Sequence, residues 1–372
     1  MKRRTLLSLL LAGSAGAALA GPRLAGTGRP RAGSGSRPGG TVLVLLELRG
    51  GNDGLNTVAP LRDPLYQQAR PTLALRDGLP LADGLAVGQA GGQAGGLALH
   101  PALAPLLPLW RSRRLAFALG VGWPTPNRSH FKAADQWATG SASGEGPGWL
   151  TRAVPQGPLL ALGPGGCAAM EGGEVLALQL APAQLRQRSL PALDPELAGN
   201  NQVLRQLLEL DQAGQREIER LRRELAPLPA GLEIPRGGLG AQVALALRLI
   251  GSGACPPVLQ LAQGGYDTHA QQAGRHGRVL AELGAALAAF AAGLERLPNR
   301  PAVRLLAVSE FGRRLKENGS RGTDHGSASV ALLLGDGLRE PLIGSYPSLR
   351  ELDRRGDLIP GIDPPELYRQ VV

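Results

Sequence analysis

Cysteine is almost missing. Cys167 and Cys255 are the only two in 372 residues, and neither lies in a C-x-x-C pair, which excludes a zinc ribbon or a dithiol redox motif. A disulfide between them stays open, and two unpaired, partly buried thiols is the plain reading. Aromatic residues make up only 3 % of the chain, too few for a platform that stacks single-stranded nucleic acid. Lysine is confined to Lys2, Lys132 and Lys316. Ser129-His130-Phe131-Lys132 has the S-x-x-K form of penicillin-recognising serine enzymes, but neither Lys132 nor Lys316 opens the K-T-G strand such enzymes need. There is no G-x-S-x-G elbow of the α/β-hydrolases. The loop Gly163-Pro164-Gly165-Gly166 lacks the Lys-Ser/Thr that would make it a phosphate cradle. Acid is absent from residues 1–40, where Lys2, Arg3, Arg4, Arg23, Arg29, Arg31 and Arg37 supply most of the formal charge of +10. The rest of the chain is therefore only slightly basic, which argues against a nucleic-acid face.

What is present begins with a targeting pattern. "MKRRTLLSLLLAGSAGAALAGP" has a basic start, an apolar stretch too short for a good membrane span, and a small-residue end at Ala18-Leu19-Ala20. Arg3-Arg4 before Thr-Leu-Leu resembles a twin-arginine signal. We expect a signal peptide over 1–20, a disordered linker over 21–40 and an exported, periplasmic or extracellular protein with no stable membrane span. The twin-arginine translocon would be its partner during export.

From residue 41 the pattern alternates. Apolar, β-friendly runs at 42–48, 115–122, 257–265, 302–312 and 328–335 are separated by helical stretches at 100–114, 128–140, 195–226, 239–251 and 271–297. Two shorter strands are expected around 158–180. This predicts an α/β domain over 41–372, with a mostly parallel sheet covered by helices on both faces and a helical insertion at about 181–240. Ligands of such sheets bind beyond the C-terminal strand ends. Chemistry-bearing residues collect at those ends: Asp53 in "RGGNDG", Ser129 in "PNRSHF", Asp267 and His269 in "GGYDTH", Ser309, Glu310 and Arg313 in "SEFGRR", and Asp324 and His325 in "GTDHG". Carboxylates with imidazoles on loops are a ligand set for a divalent cation, zinc, manganese, magnesium or calcium. A serine opening a helix sits where free N–H groups attract an anion, and a neighbouring cation would activate its hydroxyl. Arg128 or Arg313 would hold an oxyanion. Each piece also has a bland reading: a turn Asp, a helix cap, an ion pair with Arg313 or Arg314. His100 is expected to cap the helix after it; His130 to pack as an ordinary histidine, the alternative being a place behind the metal ligands; and His276 to face solvent, the alternative being assistance to the metal site.

The set RGGNDGLNT, PNRSHF, DTH, SEFGRR and TDHG, in this order, resembles the DUF1501 family of the alkaline phosphatase/sulfatase-like superfamily. The resemblance implies an alkaline phosphatase-like fold. It assigns metal ligation to Asp53, Asp267, His269, Glu310 and His325, and the nucleophile to Ser129. Two departures stand out: Glu310-Phe311 replaces the superfamily's usual Asp-His, and Asp267 and His269 are two residues apart rather than the commoner four. The function these features imply is metal-dependent hydrolysis of phosphate or sulfate esters or related small anions through a serine nucleophile. The alternative is a non-catalytic exported protein of the same fold, binding a metal or a partner.

Overall fold

The computed structural model describes residues 40–81, 96–154, 157–186 and 193–372. The expected signal peptide, and all but the last residue of the expected linker, lie outside them. Among the described residues the strands are β1 (Thr41–Leu48), β2 (Val58–Pro60), β3 (Leu79–Pro80), β4 (Leu97–Leu99), β5 (Leu115–Val121), β6 (Leu159–Ala161), β7 (Ala177–Gln179), β8 (Val258–Gln263), β9 (Ala302–Val308), β10 (Ser329–Gly335) and β11 (Leu342–Ile343). The helices are α1 (Gly54–Thr57), α2 (Pro64–Ala69), α3 (Leu107–Arg111), α4 (His130–Thr139), α5 (Trp149–Ala153), α6 (Gln202–Glu224), α7 (Gly238–Gly251), α8 (Gln272–Arg296) and α9 (Pro364–Tyr368).

The eight-stranded sheet has the order β11-β5-β10-β9-β1-β8-β6-β7, and a small sheet, β2-β4-β3, stands beside it. β1 lies between β8 and β9, parallel to both. Its side chains explain why the run 42–48 is apolar throughout. Val42, Val44, Leu46 and Leu48 enter the larger core, which α7 and α8 close. Leu43 and Leu45 enter a second core under α4, α5 and α9. Helices therefore cover both faces, as continuous apolar strands demand.

β10 departs from the parallel pattern. It runs antiparallel to both β5 and β9, and Ser329, at its start, is paired with Val121 at the end of β5. The segment before β10 thus arrives at the C-terminal edge of the parallel strands. Had β10 been parallel, His325 would lie at the opposite edge. The long α8 has the length and apolarity of a membrane span, but more than half of its apolar window is buried in the protein. His100 caps the 3-10 turn Pro101–Leu106, its Nδ1 accepting from the Ala102 N–H at 3.1 Å. Cys167 and Cys255 are both buried and free.

Candidate functional site

Arg313 underlies the site. It is 1 % exposed, and its planar fork suits several acceptors at once. Nε donates to the Gly51 carbonyl (2.7 Å), Nη1 to that of Thr323 (2.8 Å), and Nη2 to those of Tyr266 (3.0 Å) and Gly50. Nη2 also meets Asp267 Oδ1 at 2.7 Å. One guanidinium thereby ties together the loops after β1 and β8 and the loop before β10. All three of its nitrogens thereby have acceptors in the fold, whereas the sequence reading gives Arg313 to an oxyanion.

Above Arg313, imidazoles gather around Asp267. Asp267 Oδ1 is 3.0 Å from His269 Nε2 and 3.2 Å from His325 Nε2, and those two nitrogens are 2.9 Å apart. His130 Nε2 lies 3.5 Å from Asp267 Oδ2. Single ligand atoms of His130, Asp267 and His325 all fall within 4.8 Å of one another. Behind them, Glu310 Oε1 is 2.8 Å from His130 Nδ1 and accepts from the Gly50 N–H at 2.8 Å. Glu310 thus reaches the cluster through His130. Phe311 packs against the His130 and His325 rings, centroids 5.0 and 4.4 Å away.

The protonation pattern follows from the partners. His325 Nδ1 is 2.9 Å from the Arg128 carbonyl, which can only accept, so Nδ1 carries the hydrogen and Nε2 presents its lone pair to Asp267 and His269. Burial lowers the His325 pKa, which keeps the ring neutral. Burial tends to raise Asp267, but the hydrogen bond and the charge of Arg313 outweigh it and hold the carboxyl at about 2. An anionic oxygen and a neutral imidazole nitrogen therefore face each other. Such convergence suits a divalent cation: donors about 2.0–2.1 Å from zinc in a tetrahedral shell stand roughly 3.3 Å apart. The Asp267–His269–His325 triangle has nearly those edges.

Asp53 lies apart from this cluster. It is 1 % exposed, and its Oδ2 meets the fully buried Arg70 Nη1 at 2.6 Å and accepts from Gln272 Nε2. Burial pushes its pKa upward, but the Arg70 charge and hydrogen bond prevail and the net shift is downward. Its Oδ1 is buried without a partner. His276, expected at the surface, is instead 1 % exposed. Its Nε2 lies 3.0 Å from Asn52 Oδ1, because α8 carries its first turns under the β1 loop.

Ser129 is the N-cap of α4, exposed, and its hydroxyl makes no capping hydrogen bond. It stands between Arg128, whose carbonyl holds His325, and His130 of the cluster. The Arg128 guanidinium turns away to the buried Asp357. Sequence reasoning weighs His130, which shares the PNRSHF segment with Ser129, and prefers an ordinary packed histidine; it does not weigh Arg70. Arg70, at the end of α2, sits in no motif and carries no signal.

The DUF1501 family model, described as a protein of unknown function, matches residues 122–351. The chain belongs to the DUF1501 family. That match takes in Ser129, His130, Asp267, His269, Glu310 and His325; Asp53 and Arg70 precede it. No curated protein matches this DUF1501 chain. Among solved structures it is similar to the C-terminal periplasmic domain of EcEptC from Escherichia coli in complex with zinc. That likeness has TM-score 0.38 and 8 % identity, over 83 % of this chain and 78 % of that one. A second structure of the same domain gives TM-score 0.36 and 8 % identity, over 83 % and 75 %.

Proposed function

We propose that this DUF1501 protein is an exported, metal-dependent hydrolase of phosphate or sulfate esters or related small anions, with Ser129 as nucleophile. The observation that carries the reading is the triangle of Asp267 Oδ1, His269 Nε2 and His325 Nε2, with edges of 2.9 to 3.2 Å and His130 alongside. Those four residues would hold the cation, which when bound supplies Lewis acidity toward an anionic ester. The rest belongs to the chain. Arg313 fixes the Asp267 oxygen, the Arg128 carbonyl fixes the His325 tautomer, and Glu310 fixes the His130 ring. Ser129 offers an uncommitted hydroxyl at the start of α4, whose first-turn N–H groups attract the anion; Arg128 and Arg313 are engaged elsewhere. Attack by Ser129 Oγ forms the seryl ester and releases the alcohol, and water then frees the acid. Export through the twin-arginine route, on the strength of Arg3-Arg4, places this activity in the periplasm or outside the cell.

The test is turnover of p-nitrophenyl phosphate and p-nitrophenyl sulfate by the full chain, stripped by chelator and resupplied with zinc, manganese, magnesium or calcium. Ser129→Ala is expected to lower kcat by about a thousandfold or more. A folded protein that binds a cation yet turns over neither ester defeats the hydrolase reading. It would favour the non-catalytic alternative, which the engagement of Arg128 and Arg313 already supports.

A further inference from the structure

The carboxylates assembled by these loops separate into two levels. At the upper level Asp267 stands among three histidines. At the lower level Asp53 meets a fixed positive charge. Arg70 is 0 % exposed, and its donors are taken: Nε by the Leu315 carbonyl (2.9 Å), Nη1 by Asp53 Oδ2 (2.6 Å) and Asn56 Oδ1 (2.7 Å), and Nη2 by the Arg314 carbonyl (2.8 Å). This guanidinium is bound into the fold and cannot leave. Arg70 is the cation that lowers the Asp53 carboxyl, whereas Arg313 is the one that lowers Asp267. His276 is occupied by Asn52 Oδ1 at 3.0 Å. A cation at Asp53 would have to seat on the enclosed Oδ1, with the Arg70 charge on the same carboxylate. Like charges so close repel strongly where water is excluded.

We propose that the cleft takes one divalent cation, at the upper level, and that Arg70 permanently supplies the positive charge for Asp53 that a second cation would otherwise provide. This rests on the metal reading above. Asp53 then acts as a positioning residue: it anchors Arg70, and through it the Leu315 and Arg314 backbone that follows Arg313.

The experiment is a count of zinc by inductively coupled plasma mass spectrometry on the full chain, after saturation with zinc chloride and desalting. The expected results are one zinc per chain in the wild type, one in Asp53→Asn, and none in His325→Ala, with circular dichroism confirming the fold of each. Two zinc ions in the wild type overturn the proposal. So does an Asp53→Asn protein that folds but loses its ion. If Asp53→Asn does not fold, the wild-type count and its loss in His325→Ala decide alone. No zinc in the wild type overturns both this proposal and the metal reading. One zinc without esterase turnover supports this proposal and removes only the hydrolase.

Discussion

At the scale of single residues, Arg70 and Asp53 show how burial changes the role of a charge. A carboxylate on a glycine-rich turn at a strand end has the ingredients of a cation ligand. Enclosed at 1 % exposure beside a guanidinium at 2.6 Å, it becomes half of a buried ion pair. Removing one partner of such a pair strands the other charge in a medium that solvates it poorly. Arg70→Met is therefore expected to destabilise the protein by about 3–5 kcal/mol, read from chemical denaturation. Replacing both residues together with apolar ones should cost much less than the single change. An equal loss in the single and double variants would show that Asp53 is not the group left stranded.

At the scale of elements, the site depends on how turns pack rather than on helix or strand lengths. Gly51 has φ of +78°, a conformation L side chains rarely adopt, and a β-carbon there would run into the Phe311 ring. Phe311 in turn packs on His130 and His325. Gly51→Ala should cost about 1–2 kcal/mol for the backbone alone, more with the displaced ring, and should weaken zinc binding measured by competition with a chromogenic chelator. A variant that melts lower but binds zinc as before would separate Phe311 from the metal seat. The antiparallel β10 is the other element that matters: its direction brings His325 to the edge where β1, β8 and β9 end.

At the scale of the whole molecule, stability is tied to pH through His276. Burial depresses its pKa to about 4, against 6.5 for a free histidine, and the nearby Asp53 charge only partly opposes this. The unfolded chain therefore binds the proton more readily than the folded one. The folded state holds its full stability above about pH 6.5 and loses it as the pH falls toward 4, on the order of 3 kcal/mol in all. His276→Gln should flatten this part of the profile, measured as the urea midpoint at successive pH values. A variant whose profile still follows the wild type would assign the loss to another group.

The sequence by itself determined the layered α/β architecture and the edge where the chemistry gathers. Short unbroken apolar runs such as Val42–Leu46, bounded by glycine-rich turns, read as strands covered on both faces. That the two thiols stay apart was decided by the tertiary structure, which buries both unpaired. Which carboxylate meets which base was decided by tertiary structure alone. Asp53 and Asp267 look equivalent as text. Arg70, distant from any motif, neutralises the first, while three histidines from separate segments surround the second. His130 and His276 exchanged their expected surroundings for the same reason: whether a side chain faces a cleft or a core depends on long-range packing, which local patterns do not encode.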